Sequence, residues 1–185
     1  FNWIAVYLDR IGACFVLKDV EPLIFYFIHL VLLGRDDKIL DLASIFSTII
    51  SPETSCNALI TGPVGSGKTA LAKVFAKDIK DNYSRKRKIS YLHINCRNHS
   101  TTPQVLHRII TSLEPRYPVR GLSSSEVLSS IRTILRNSNK HLLVILDELN
   151  YILRKEGNDI LYNLLRIDED KDGQGTLSLI LISQE

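Results

Sequence analysis

Methionine is absent from all 185 positions, the first included. A natural start would leave one there, so the chain is expected to be a fragment cut at its N-terminus. Cysteine is scarce. Cys14, Cys56 and Cys96 are odd in number, lie far apart and form no CxxC pair. That spacing argues against a zinc site or a disulfide framework and fits a reducing cytoplasm. Long hydrophobic runs are missing as well. Residues 22–33 are apolar apart from His29, but a membrane span needs about 20 residues and Lys18, Asp19 and Glu21 stop any extension. Arg10 stands too late for the basic start of a signal peptide. No membrane partner is expected, and 22–33 reads as a buried segment or chain end, with an interfacial anchor as the alternative. Nor is there a large excess of one charge. The 23 basic and 20 acidic residues give +3, which neither demands nor excludes nucleic acid.

What is present is an ordinary globular composition, 45% hydrophobic and 23% charged, enough for one sizeable core. Apolar residues at helical spacing predict a helix over 36–50, stopped by Ser51-Pro52. From 57 onward, strands and helices alternate. Strands are expected at 57–61, 89–95, 141–146 and 177–183. Helices are expected at 68–81, 102–113, 124–137 and 158–166. Thr102-Pro103 reads as a threonine cap with proline in the first turn. Ser123 followed by Glu126 reads as a capping box. The basic run Arg85 to Lys88 reads as a solvated loop or, alternatively, a phosphate contact, and 167–175 as an acidic turn. The strands are continuously apolar, so a mostly parallel sheet covered on both faces is expected, an α/β three-layer sandwich.

Gly62-Pro63-Val64-Gly65-Ser66-Gly67-Lys68-Thr69 fits the P-loop pattern between an apolar strand and a helix. Glycines let the backbone curl and bring its N–H groups against phosphate oxygens, and the following helix start, from Lys68 through Ala70, adds a positive dipole end. Lys68 is placed to bridge the β- and γ-phosphates of ATP, and the Thr69 hydroxyl to ligate Mg2+. ATP or ADP with Mg2+ is the expected cofactor. Asp147 and Glu148 end a buried strand, at the sheet edge where parallel sheets bind ligands. Asp147 is the expected magnesium partner, and Glu148 is placed to polarise an attacking water. The alternative is a pair of solvated turn acids. Asn95 could hydrogen-bond Glu148 or simply cap its own turn. Ser183 and Gln184 end the last strand, where a polar side chain could reach the γ-phosphate or remain a strand terminus.

From Gly34 to Glu185 the sequence resembles the archaeal replication initiators related to the largest origin-recognition subunit and to the helicase-loading cell-division-cycle protein. The matching stretches are Gly34-Arg35-Asp36-Asp37, the P-loop, Ile94-Asn95-Cys96, residues 118–123, residues 145–149 and residues 159–167. The resemblance implies an AAA+ P-loop NTPase fold, with residues 1–33 set apart as an N-terminal segment without an assigned role. Residues 34–185 would be the nucleotide-binding core, ending before the lid domain. It places Leu33 and Arg35 near the adenine and aligns Ser183 and Gln184 with a sensor where the family usually shows Asn in place of Gln184. It implies ATP hydrolysis, double-stranded origin DNA, a replicative helicase and other initiator subunits as partners, and a cytoplasmic, nucleoid-associated location. DNA contacts would map to about 102–123, including Arg108, Arg116, Tyr117 and Arg120. A solvated helix face is the alternative for those residues, and a signalling-type NTPase switch without a DNA role is the alternative function.

Overall fold

The computed structural model describes residues 3–8, 13–18, 42–43, 46, 49, 54–83, 87–138, 140–167 and 176–184. In chain order the elements are strands β1 (Trp3–Leu8), β2 (Ala13–Lys18) and β3 (Asn57–Ile60), then helix α1 (Lys68–Tyr83) and strand β4 (Lys88–Asn95). Helices α2 (Thr102–Leu113) and α3 (Ser124–Arg136) lead to β5 (Lys140–Asp147). Helices α4 (Asn150–Glu156) and α5 (Asp159–Leu165) lead to β6 (Thr176–Ile182). The sheet order is β1-β2-β3-β6-β5-β4. β3, β6, β5 and β4 run parallel to their neighbours, while β1 and β2 form an antiparallel pair that joins β3 antiparallel.

Period two along the strands sorts the core into two layers. On β5, Leu142, Val144 and Leu146 join α2, α3, α4 and α5 in one cluster, while Leu143 and Ile145 join α1 in the other. β6 divides likewise, with Leu177, Leu179 and Leu181 on the first face and Ile180 and Ile182 on the second. With helices on both faces every position of β6, and every position of β5 after the half-buried Lys140, is buried, which is why residues 142–146 and most of β6 read as apolar. The result is the expected α/β three-layer arrangement.

Within the helix expected over 36–50, residues 42, 43 and 46 are helical. Leu42, Phe46 and Ile49 are buried on the α1 face, with the Phe46 ring edge-on to Phe75. The capping box forms: Glu126 N donates to Ser123 Oγ at 3.3 Å and Ser123 N donates to Glu126 Oε2 at 2.7 Å. These bonds hold the Glu126 carboxyl below its ordinary range.

Three local readings need correction. The cap position of α2 is Thr101, whose side chain makes no capping bond. The α2 amide of Thr102 instead donates to the Glu156 carboxylate at the end of α4. A second correction is Arg87, expected in a solvated loop or on phosphate. It is buried, its guanidinium donating to Ile49 O at 2.7 Å and Thr176 Oγ1 at 3.0 Å. The third is the segment 1–33, which received no predicted strands and supplies the β1–β2 pair. Residues 22–33, Arg85, Lys86 and the turn at 168–175 lie outside the described residues.

Candidate nucleotide-binding site

β3 delivers the chain at its C-terminal end into the loop 61–67, and α1 begins at Lys68. Gly65 and Gly67 have φ of 80° and 78°, conformations that L side chains resist. A Cβ at Gly65 would meet nothing within 4 Å, so backbone conformation alone requires glycine there. The loop folds back on itself: Ser66 N donates to Pro63 O, and Leu71 N to Gly67 O as α1 starts. Lys68 Nζ donates to Gly62 O at 2.6 Å, Pro63 O at 2.8 Å and Ser66 Oγ at 3.3 Å, which sets the ammonium over the curled loop.

β5 brings Asp147 to the same end of the sheet. Thr69 Oγ1 donates to Asp147 Oδ2 at 2.9 Å, so the two side chains expected at a metal are in contact. His93 Nε2 lies 3.1 Å from the same oxygen, and Glu148 N donates to Asp147 Oδ1 at 3.0 Å. Burial pushes the Asp147 carboxyl up, but the hydrogen bonds from His93, Thr69 and Glu148 N outweigh it and leave it below its ordinary value. Asp147 is therefore an ionised acid held by three donors.

Glu148 adopts φ 54°, a conformation uncommon outside glycine. Its Oε2 is buried with no hydrogen-bond partner among the described residues. A strained backbone and an unsatisfied buried oxygen on one residue mark a functional position more than a structural one. Leu149 N donates to Ile182 O and Ser183 N to Ile60 O, which ties the ends of β5, β6 and β3 around it.

A cleft of about 420 Å³ opens here, lined by Val64, Gly65, Gly67, Lys68, Thr69 and Ala70 on one side and Asp147, Glu148, Ile182, Ser183 and Gln184 on the other. Of the residues singled out in the sequence, these come together. Asn95 sits beside Asp147 in register, but its Oδ1 accepts from Arg97 N at 2.9 Å, the turn-capping arrangement. Arg35 and Leu33 lie outside the described residues. Arg108, Arg116 and Arg120 are exposed on α2 and the loop after it, away from the cleft lining. Tyr117 packs against the core and donates its hydroxyl to Ser130 Oγ at 2.6 Å. Cys96, next to the site, is buried and its thiol is pushed up to about 12, mainly by burial and then by Asp147 and Glu148, so it is chemically quiet.

His93 was not singled out from the sequence. The signal was faint: it precedes Asn95 by two residues, so it shares that residue's face of β4.

Among the described residues no group of three or more His, Cys, Asp and Glu could hold a metal unaided. The oxygen donors Thr69 and Asp147 suit a hard cation that takes its other ligands from phosphate and water, which is how magnesium accompanies a nucleotide.

Residues 53–185 match the AAA domain family. The chain belongs to that family. This AAA domain is 34% identical over 140 residues to the ORC1-type DNA replication protein 2 of Saccharolobus solfataricus, covering 74% of this chain and 34% of the relative. It is 31% identical over 157 residues to the ORC1-type DNA replication protein 1 of Methanosarcina mazei, covering 84% and 37%. Among solved structures it is similar to the Aeropyrum pernix ORC2 protein in its ADPNP-ADP complexes, with a TM-score of 0.75, 27% identity and coverage of 87% of this chain and 44% of that one. It is also similar to the Aeropyrum pernix ORC1 protein in complex with DNA, with a TM-score of 0.71, 26% identity and coverage of 84% and 40%. These likenesses agree with the resemblance read from the motifs. The AAA domain spans about a third of the length of the curated relatives it matches. Among its described residues no helix is long and apolar enough to cross a membrane.

Proposed function

We propose that this chain is the ATP-binding and ATP-hydrolysing core of a DNA replication initiator that engages double-stranded origin DNA and supports helicase loading. The observation that carries the nucleotide half is the contact of Thr69 with Asp147 at 2.9 Å, across a cleft that also holds Lys68 and Glu148. The DNA half rests on the likeness to ORC1-type replication proteins, one of them solved on DNA, and on exposed Arg108, Arg116 and Arg120. The helicase, other initiator subunits and a nucleoid-associated location in the cytoplasm follow only from that likeness.

In this reading the amides of the curled loop and the α1 N-terminus cradle the phosphates. Lys68 leaves the loop carbonyls for phosphate oxygens. Thr69 and Asp147 would hold Mg2+ beside the phosphates. The cation, when bound, neutralises charge on the β- and γ-phosphates. Glu148 uses its Oε2, without a hydrogen-bond partner among the described residues, to orient water and accept its proton. Gln184 faces the cleft from the end of β6 and supplies a carboxamide toward the γ-phosphate. Phosphoryl transfer asks for positioning and charge stabilisation more than covalent chemistry, and this set provides both.

The test is a pair of substitutions. Lys68→Ala is expected to abolish nucleotide binding or weaken it severely. Glu148→Gln is expected to keep binding and lower turnover by about 10²–10⁴-fold. Unchanged hydrolysis by Glu148→Gln would remove Glu148 from the mechanism. For DNA, removing one phosphate-contacting arginine should weaken binding to all sequences and lower the salt slope by about one. Triple replacement of Arg108, Arg116 and Arg120 with no change in affinity or slope would leave a nucleotide switch without a DNA role.

A further inference from the structure

We infer that His93 is a positioning residue for the magnesium–nucleotide site: its Nε2–H fixes the Asp147 carboxylate toward Thr69 and so sets the affinity for Mg2+. This rests on the proposed role of the cleft as a magnesium–nucleotide site. His93 Nε2 and Thr69 Oγ1 meet the same oxygen, Asp147 Oδ2, at 3.1 and 2.9 Å. Glu148 N occupies the other, Oδ1, at 3.0 Å. An ionised carboxylate only accepts, so the proton between His93 and Asp147 belongs to Nε2.

The sheet explains why this residue reaches. β4 and β5 are parallel with Asn95 opposite Asp147 and His93 opposite Ile145. Positions 89, 93 and 95 of β4 therefore share the face that packs on α1, the helix whose first turn carries Thr69. Ile89 is buried in the apolar layer on that face. Further along it, His93 stands two positions before the Asn95–Asp147 pair, and its ring reaches the acid from there. Without the His93 donor, Asp147 Oδ2 keeps Thr69 alone among the described residues, and the carboxylate is freer to turn away from Thr69. Partners that orient metal ligands are commonly worth about 10-fold or more in metal affinity.

The experiment measures binding of a fluorescent ATP analogue to the full chain as Mg2+ is titrated, and again in EDTA. His93→Phe keeps a ring and removes the donor. It is expected to raise the half-saturating Mg2+ about 10-fold while binding in EDTA stays unchanged. His93→Gln, which restores an N–H donor, is expected to recover most of the loss, which a purely structural role would not produce. An unchanged Mg2+ requirement in His93→Phe, with Lys68→Ala still losing nucleotide, would overturn this inference alone. Normal nucleotide binding by Lys68→Ala would instead overturn the reading of the cleft. If His93→Phe fails to fold, the histidine ring nitrogens of the wild-type chain decide the matter by NMR. A proton on Nε2 supports the inference, and a ring protonated only on Nδ1 overturns it.

Discussion

Arg87→Ala distinguishes a buried clamp from a surface charge in the basic run 85–88. The Arg87 side chain is 3% exposed and donates at 2.7 Å to Ile49 O and at 3.0 Å to Thr176 Oγ1. Thr176 Oγ1 donates onward to Thr54 O at 2.9 Å, and His141 Nδ1 meets the same hydroxyl at 2.6 Å. The guanidinium thus joins the starts of β4, β5 and β6 to the segment entering β3. Each bond from a charged donor is worth about 1.5–3 kcal/mol. Losing two of them should cost about 3 kcal/mol or more. For a chain of this size that is a fall in Tm of about 6–12 °C. Guanidinium titration followed by far-UV circular dichroism measures the free-energy loss, and a thermal melt the fall in Tm. An unchanged midpoint combined with weaker, less salt-sensitive DNA binding would refute the clamp and return Arg87 to phosphate contact.

Other outcomes follow from the same structure. His141 is fully buried, and burial first, then the Arg87 charge, lowers its pKa to about 3. The unfolded chain therefore takes up a proton below about pH 6.5 that the folded chain refuses, and stability falls as pH drops from there toward 3, by up to about 1.4 kcal/mol per pH unit. Denaturation midpoints from pH 7 to 4 should slope less in His141→Gln, and equal slopes would contradict the assignment. Ser123→Ala removes one half of the α3 capping box and should cost about 1 kcal/mol, read from the same titration. Glu156→Gln replaces the charged acceptor at the Thr102 amide and should speed hydrogen exchange in the first turn of α2 while leaving α3 unaffected.

Much of this architecture could be read from residue order because local and global signals agree. The apolar run at 142–146, and the one at 177–182 broken only by Ser178, demanded cover on both faces, and β5 and β6 have it. Glycines 62, 65 and 67 before Lys68 required a curled loop, and the loop curls. What could not be read depended on partners distant in sequence. Nothing near Arg87 announces Thr176, and nothing near Thr102 announces Glu156. In the β1–β2 pair, what residue order does not announce is the join of β2 to β3, which lies far along the chain. Helix α4 was missed because its seven residues are mostly polar and bury only Ile152. His93 escaped notice since a single histidine on a strand gains meaning only from the pairing of β4 with β5 that brings its ring within reach of Asp147.

The strand made last of the six, β6, ends up between β3 and β5. Until residues 176–182 leave the ribosome, β3 and β5 each present a bare hydrogen-bonding edge with nothing in between. The phosphate loop hangs from one of those strands and the acidic pair from the other. Before that late insertion the two halves meet only through α1, which packs on β5 and carries Thr69 to Asp147, so nucleotide should stabilise most strongly the chains that have already completed it. Such long-range closure also predicts slow folding.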